Sequence, residues 1–220
     1  MRIRAYRAHP SPGRFAHALA AIGLATATLT ACGSPLPDVE NNPIVVGADG
    51  NPTTEAIAEL YAQQLEAEGL PVTRRFHQTG REEVWPQLLD GRIDVVPDYT
   101  LPLLNYLLSA PSPTTGRPSR AVPITTAAPF DAYAQLLALV PEQINVGRQS
   151  KATVDDATII PLTSDRLNHR EIAALEDVSL KLTTPELLRI QGLMETAQLT
   201  PQQATHRWLL DVGLLDVTES

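Results

Sequence analysis

Apolar residues recur along this chain with two different periods, and the alternation between them outlines the architecture. Ile44-Val45-Val46 is a short uninterrupted apolar run closed by Gly47 and the loop residues Ala48 to Asn51, the pattern of a strand covered on both faces. Thr53 or Thr54 is placed to cap a helix whose apolar stripe is Ile57, Leu60, Tyr61 and Leu65 and which stops at Gly69. Pro71 to His77 alternates in polarity and predicts a second strand. Thr79-x-x-Glu82 forms a capping box for a helix reaching Asp90, with Val84, Trp85, Leu88 and Leu89 inward and Gly91 as its stop. Ile93 to Val96 is a third strand, and Pro97 is expected to end its regular pairing before Asp98-Tyr99-Thr100. Strand, helix, strand, helix, strand at this spacing predicts a parallel βαβαβ unit over 44–108, and hence an α/β protein. Ligands of such sheets gather at the carboxyl ends of the strands, which here are 48–54, 77–81 and 98–100.

The pattern loosens after Tyr99. Leu101 to Leu108 predicts a short helix, whereas 109–129 holds five prolines among serines and threonines and predicts an irregular surface loop. Within 130–165 a helix from Asp131 to Val140 precedes short strands at Ile144–Val146 and Ala157–Pro161. The segment 166–215 is helical, from Leu167 to Val178 and then from two starts, each a cap followed by an early proline: Thr183-Thr184-Pro185-Glu186 and Thr200-Pro201-Gln202-Gln203. The last helix closes at Gly213, and no repeat of fixed period occurs.

The first residues stand apart from this pattern. Arg2, Arg4, Arg7 and Arg14 precede an Ala-rich stretch, Phe15 to Ala31, that carries no carboxylate and ends in small residues, as an export signal does. At 17 residues with three threonines it is a poor membrane span. Leu29-Thr30-Ala31-Cys32 is similar to the lipobox of bacterial lipoproteins, which implies that residues 1–31 are a signal peptide and that Cys32, the single cysteine, is the lipidated residue. Residues 32–43, with three prolines, predict a tether. One cysteine excludes a disulfide framework and a Cys-rich metal site. The formal charge of −8 argues against nucleic acid as a partner, and removing the signal, with its four arginines and no acids, makes the remainder more acidic.

Two stretches carry a family resemblance. Ile44-Val45-Val46-Gly47 with Ala58-Glu59-Leu60-Tyr61-Ala62-Gln63, and Thr79-Gly80-Arg81-Glu82-Glu83-Val84-Trp85 running through Asp94-Val95-Val96-Pro97-Asp98-Tyr99-Thr100, resemble the substrate-binding proteins of ABC importers for osmoprotectants (glycine betaine, choline, carnitine, proline betaine). The tail, Val178 to Leu188 and Trp208 to Leu215, looks like that family's C-terminal helices. The resemblance implies a periplasmic-binding-protein-like (type II) α/β lobe with a mostly parallel sheet flanked by helices. It also implies an extracytoplasmic, lipid-anchored protein partnered by an ABC permease subunit. The departures are specific. Where the family continues Tyr-Thr with Gly-Thr, this chain reads Tyr99-Thr100-Leu101-Pro102, and no aromatic residue lies between Tyr133 and Trp208. Ser150 to Pro161 resembles the outgoing crossover to a second lobe and Leu162 onward the return, so that lobe is expected to be reduced or absent.

A quaternary ammonium group cannot donate a hydrogen bond, so its recognition rests on aromatic faces. Tyr99 is the candidate, at the ligand end of the third strand where the resemblance places a cage tyrosine, with Thr100 beside it. The carboxylate of a zwitterion needs N–H donors; Asn51, Thr53 and Thr54 flank one helix start and Gly80 another, although ordinary capping uses the same residues. Tyr106 and Tyr133 are weaker candidates, and Trp85, Tyr61 and Trp208 are expected in the core. His77, His169 and His206 lack ligand spacing, and no catalytic or phosphate-binding fingerprint occurs, so neither an enzyme nor a metal or other cofactor is expected. The leading expectation is a solute-binding component for small zwitterionic or quaternary-amine solutes. The alternative is a lipoprotein of the same fold that binds a partner protein.

Overall fold

The computed structural model describes residues 42–76, 78–109 and 129–215. The signal segment, Cys32, nearly all of the tether and the body of the proline-rich loop lie outside these residues.

The first half of the sheet follows the apolar pattern. β1 (Ile44–Gly47), α1 (Pro52–Ala67), β2 (Val72–Arg75), α2 (Arg81–Leu89) and β3 (Val95–Tyr99) occur in that order, and β1 pairs in parallel with β2, Ile44 opposite Val72, and with β3, Val46 opposite Val95. α3 (Thr100–Ser109) follows directly; then come α4 (Pro129–Leu139), β4 (Ile144–Val146), β5 (Thr153–Val154) and β6 (Ala157–Ser164). The helices α5 (His169–Lys181), α6 (Thr184–Thr196) and α7 (Pro201–Asp211) end the chain order. The sheet order is β2-β1-β3-β6-β4, with β5 on β6. β6 is antiparallel to β3, β4 and β5, so it alone runs against the other strands, and the sheet is mostly parallel. The described residues form one compact unit, with no second lobe among them.

Both sheet faces are covered, as near-continuous apolar strands require. Side chains alternate along each strand, so Val46, Val95 and Ile159 join Leu60, Tyr61, Leu175, Ile190 and Trp208 on one face, packed by α1, α5, α6 and α7. Val96, Ile160 and Leu162 meet Trp85, Leu88, Leu103 and Leu136 of α2, α3 and α4 on the other. Trp85, Tyr61 and Trp208 are all buried. The Trp208 indole N–H donates to Glu186 at 2.6 Å, which fixes α7 against α6. Asp94, buried just ahead of β3, accepts from the Val45 amide at 3.0 Å, the Ser164 hydroxyl at 3.0 Å and Arg166 at 3.1 Å, and so binds β1 and the end of β6 to the start of β3.

Several local details differ from the sequence expectation. Asn51, not Thr53 or Thr54, caps α1, its Oδ1 accepting from the Thr53 amide at 2.9 Å with Pro52 as the first helical residue. At α2 no capping box forms: Gly80 is the cap and has no side chain to take part, while the Thr79 amide and hydroxyl both donate to the Glu83 side chain, each at 2.8 Å. Pro97 does not end β3. It stands opposite Pro161 at a position of the β3–β6 ladder that exchanges no hydrogen bonds, since the Pro161 carbonyl faces the other way and accepts from the Gly147 amide. A proline there removes no bond from that ladder. β6 continues three residues past Pro161 to Ser164, and β5 joins it through a two-residue turn, Asp155-Asp156, with φ of 47° and 61°. α5 starts at His169, capped by Asn168 with Glu171 as the reciprocal partner.

Candidate functional site

The carboxyl ends of β1 and β3 open onto a recess of about 330 Å³. β1 runs into the α1 start, which supplies Asn51 and Thr53; β3 ends in Tyr99; the first turns of α3 supply Leu101, Pro102 and Asn105; and the β5–β6 turn contributes Asp155 between Val154 and Ala157. The loop beneath is tightly built. Gly50 has φ of 79°, and a Cβ on it would lie 2.5 Å from the Gln78 carbonyl oxygen, so only glycine fits.

Tyr99 is half-buried, its backbone paired opposite Ile159 and its ring against the face packed by α1. Burial pushes its phenol above the ordinary range. The Thr54 hydroxyl opposes this, although it lies outside full hydrogen-bond geometry, and the charges of Asp49, Asp98 and Asp155 push the phenol higher still. The backbone is fixed by Asp98, whose Oδ1 accepts from the Tyr99 amide at 2.6 Å. Arg81 grips the same carboxylate with two bonds, Nη2 to Oδ1 at 2.6 Å and Nε to Oδ2 at 2.9 Å. Burial alone would lower Arg81, but its bonds to Asp98 more than reverse that; burial pushes Asp98 up, with Arg81 and the Tyr99 amide pulling the other way. The Arg81 guanidinium also stands 5.9 Å from the Tyr106 ring centre, and Tyr106 meets Trp85 edge to face at 6.3 Å. The pocket beside Arg81 and Asp98 holds about 10 Å³, room for no more than one water.

Of the residues singled out from sequence, the recess brings together Asn51, Thr53 and Tyr99. Thr54 is buried, with its hydroxyl unpartnered. Thr100 is not on the recess: its oxygen is turned to β6, where the Thr158 amide and hydroxyl meet it at 3.2 and 3.3 Å. Gly80 does not line it either, because α2 starts on the Arg81–Asp98 side. Tyr106 serves the second core face, and the Tyr133 hydroxyl donates to the Gly147 carbonyl at 3.1 Å. Asp155 and the α3 residues were not anticipated. A pair of turn-forming residues between Thr153-Val154 and Ala157 was the available signal for a hairpin at this point. Among the described residues no group of three or more His, Cys, Asp or Glu could hold a metal ion, and no helix is long and apolar enough to cross a membrane.

The geometry can be set beside known proteins. The family model described as the substrate binding domain of ABC-type glycine betaine transport system matches residues 42–179, more than half of the chain. No curated protein sequence matches significantly. Among solved structures, the chain is similar to apo YehZ from Escherichia coli, with a TM-score of 0.62 and 9% identity over 79% of this chain and 99% of that one. It is also similar to a structure described as a glycine betaine/carnitine/choline ABC transporter, with a TM-score of 0.59 and 9% identity over 80% of this chain and 99% of that one. At such identity the likeness is one of fold.

Proposed function

Because this chain belongs to the family of substrate-binding domains of ABC-type glycine betaine transport systems, we propose that it is the extracytoplasmic solute-binding component of an importer and that its recess holds a quaternary-amine solute. That family consists of solute-binding proteins, not enzymes. The observation that carries the reading is the meeting of Tyr99, Asn51 and Thr53, from separate segments, on one recess at the carboxyl ends of β1 and β3. The Tyr99 face would receive the methylated ammonium, and Leu101, Pro102 and Val154 would cover its apolar methyl groups. Calorimetric titration of the purified chain with glycine betaine, choline and carnitine tests this. Heat from at least one is expected, lost or much reduced in Tyr99→Ala; no heat from any of the three, with folded protein, overturns it.

The same reading has the protein held at the extracytoplasmic face of the cell membrane through a lipid on Cys32 and delivering its solute to an ABC permease subunit. Only a thiol forms the thioether, so Cys32→Ser should abolish incorporation of labelled lipid and release the protein from membranes; retention after signal cleavage would require another anchor. Binding of a partner protein remains the competing reading, favoured by one observation: Tyr99 is the lone aromatic ring among the described lining residues. The titration above separates the two.

A further inference from the structure

Among the described residues, the recess pairs one aromatic ring with one full charge, and that charge is negative. Asp155 lines it, and no lysine, arginine or histidine does so among the described residues. The side-chain donors it offers, the amides of Asn51 and Asn105 and the hydroxyls of Thr53 and Tyr99, are neutral. At the start of α1, the amides of Asn51 and Thr53, the two lining residues there, are already engaged by the protein's own oxygens. The Thr53 amide donates to Asn51 Oδ1 at 2.9 Å, the Glu55 amide to the Asn51 carbonyl at 2.8 Å, and the Asn51 amide to Asp49 at 3.1 Å. A solute carboxylate would therefore find weak partners here and a like charge close by.

The position of Asp155 is built, not incidental. Val154 and Ala157 pair directly, leaving a two-residue turn whose left-handed backbone angles set where the Asp155 side chain starts. We infer that the recess selects a small quaternary ammonium cation without a carboxylate over the matching zwitterion, with Asp155 as the residue that sets the preference. This rests on the recess being the solute site, and it narrows the class of solute held there.

The test is calorimetry of the full chain with choline and glycine betaine as probes, on wild type, Asp155→Asn, Asp156→Asn and Tyr99→Ala. Asparagine tolerates the left-handed backbone, so both turn variants keep the hairpin. Wild type should bind choline more tightly than glycine betaine. Asp155→Asn should lower choline affinity by about threefold to fivefold, the scale of a solvent-exposed ion pair, and bring the two affinities together. Asp156→Asn removes the same charge from a residue off the recess and should leave the ratio unchanged. Equal or tighter binding of glycine betaine by wild type, a ratio that Asp155→Asn does not move, or a ratio that Asp156→Asn moves equally, overturns the selectivity. If Tyr99→Ala weakens both probes while the ratio stays put, only the selectivity has failed; if neither probe binds wild type, or Tyr99→Ala alters neither, the recess reading has failed with it.

Discussion

The two ends of β3 are both guarded by a buried aspartate, yet they are built for different purposes. At the start, Asp94 takes donors from β1, β6 and Arg166, and these contacts lock neighbouring strands together. At the finish, Asp98 takes Arg81 and the next residue's own amide, and immediately beyond it the chain opens onto the recess. One carboxylate closes a seam. The other holds a ring in place at an edge that is only partly satisfied, as the unpartnered Thr54 hydroxyl attests. Burial of a charge is thus uninformative by itself; what its partners hold decides what it does.

Breaking the closed end should have the largest effect. Asp94→Ala strands the Val45 amide and the Ser164 hydroxyl, and should remove roughly 3 kcal/mol of stability, read from urea unfolding. Next comes Arg81→Gln, which leaves Asp98 buried without its counter-charge and should remove about 2 kcal/mol, while also weakening solute binding by loosening Tyr99. Its signature is in the pH dependence. Because burial raises Asp98, the folded state holds that proton more tightly than the unfolded chain. Stability therefore rises as pH falls from the raised value toward the ordinary carboxylate range, and the gain is absent above it. Arg81→Gln should widen that window and Asp98→Asn should erase it, measured as unfolding free energy against pH.

Smaller effects sharpen the contrast. Tyr99→Ala should weaken a bound quaternary amine by about 1–2 kcal/mol, with Tyr99→Phe much milder and the urea midpoint scarcely moved, because the ring sits at a rim. A Tyr99→Ala protein that unfolds would place the ring in the same structural class as Asp94. The smallest change concerns Glu83, whose carboxyl is held below the ordinary range first by the Thr79 amide and then by its hydroxyl. Thr79→Ala should raise the Glu83 carboxyl in an NMR titration by removing the hydroxyl's share alone, with little change in stability.

What could be read from the chain was what depends on near neighbours. Ile44–Val46, the Ile57-Leu60-Tyr61-Leu65 stripe and the prolines after Thr183 and Thr200 announce their elements because period and cap are local. Tyr99, Asn51 and Thr53 were legible as a candidate set because strand ends meet at one edge in parallel sheets. Pro97 was misread because its cost depends on which way its nitrogen faces, and that is settled by β6, some sixty residues later. The Arg81–Asp98 grip has the same origin: nothing in the spacing of the two residues says that α2 will carry one onto the other. Asp155 belongs to a turn so short that its own dipeptide was the whole signal.

That late-arriving strand has a consequence for how the protein comes into being. β6 slots between β3 and β4, so Asp98 must find Ile160 across a long loop before the sheet is whole. Closing so large a loop is entropically slow, and local units form ahead of it. The βαβαβ unit can therefore assemble while the recess does not yet exist, since one of its walls is the β5–β6 turn. During refolding, solute binding should be recovered after the bulk of the helical signal, in step with β6 docking. Emerging from its N-terminus, the chain therefore cannot form the recess until residues through Ser164 are available, well after the βαβαβ unit is complete at Tyr99.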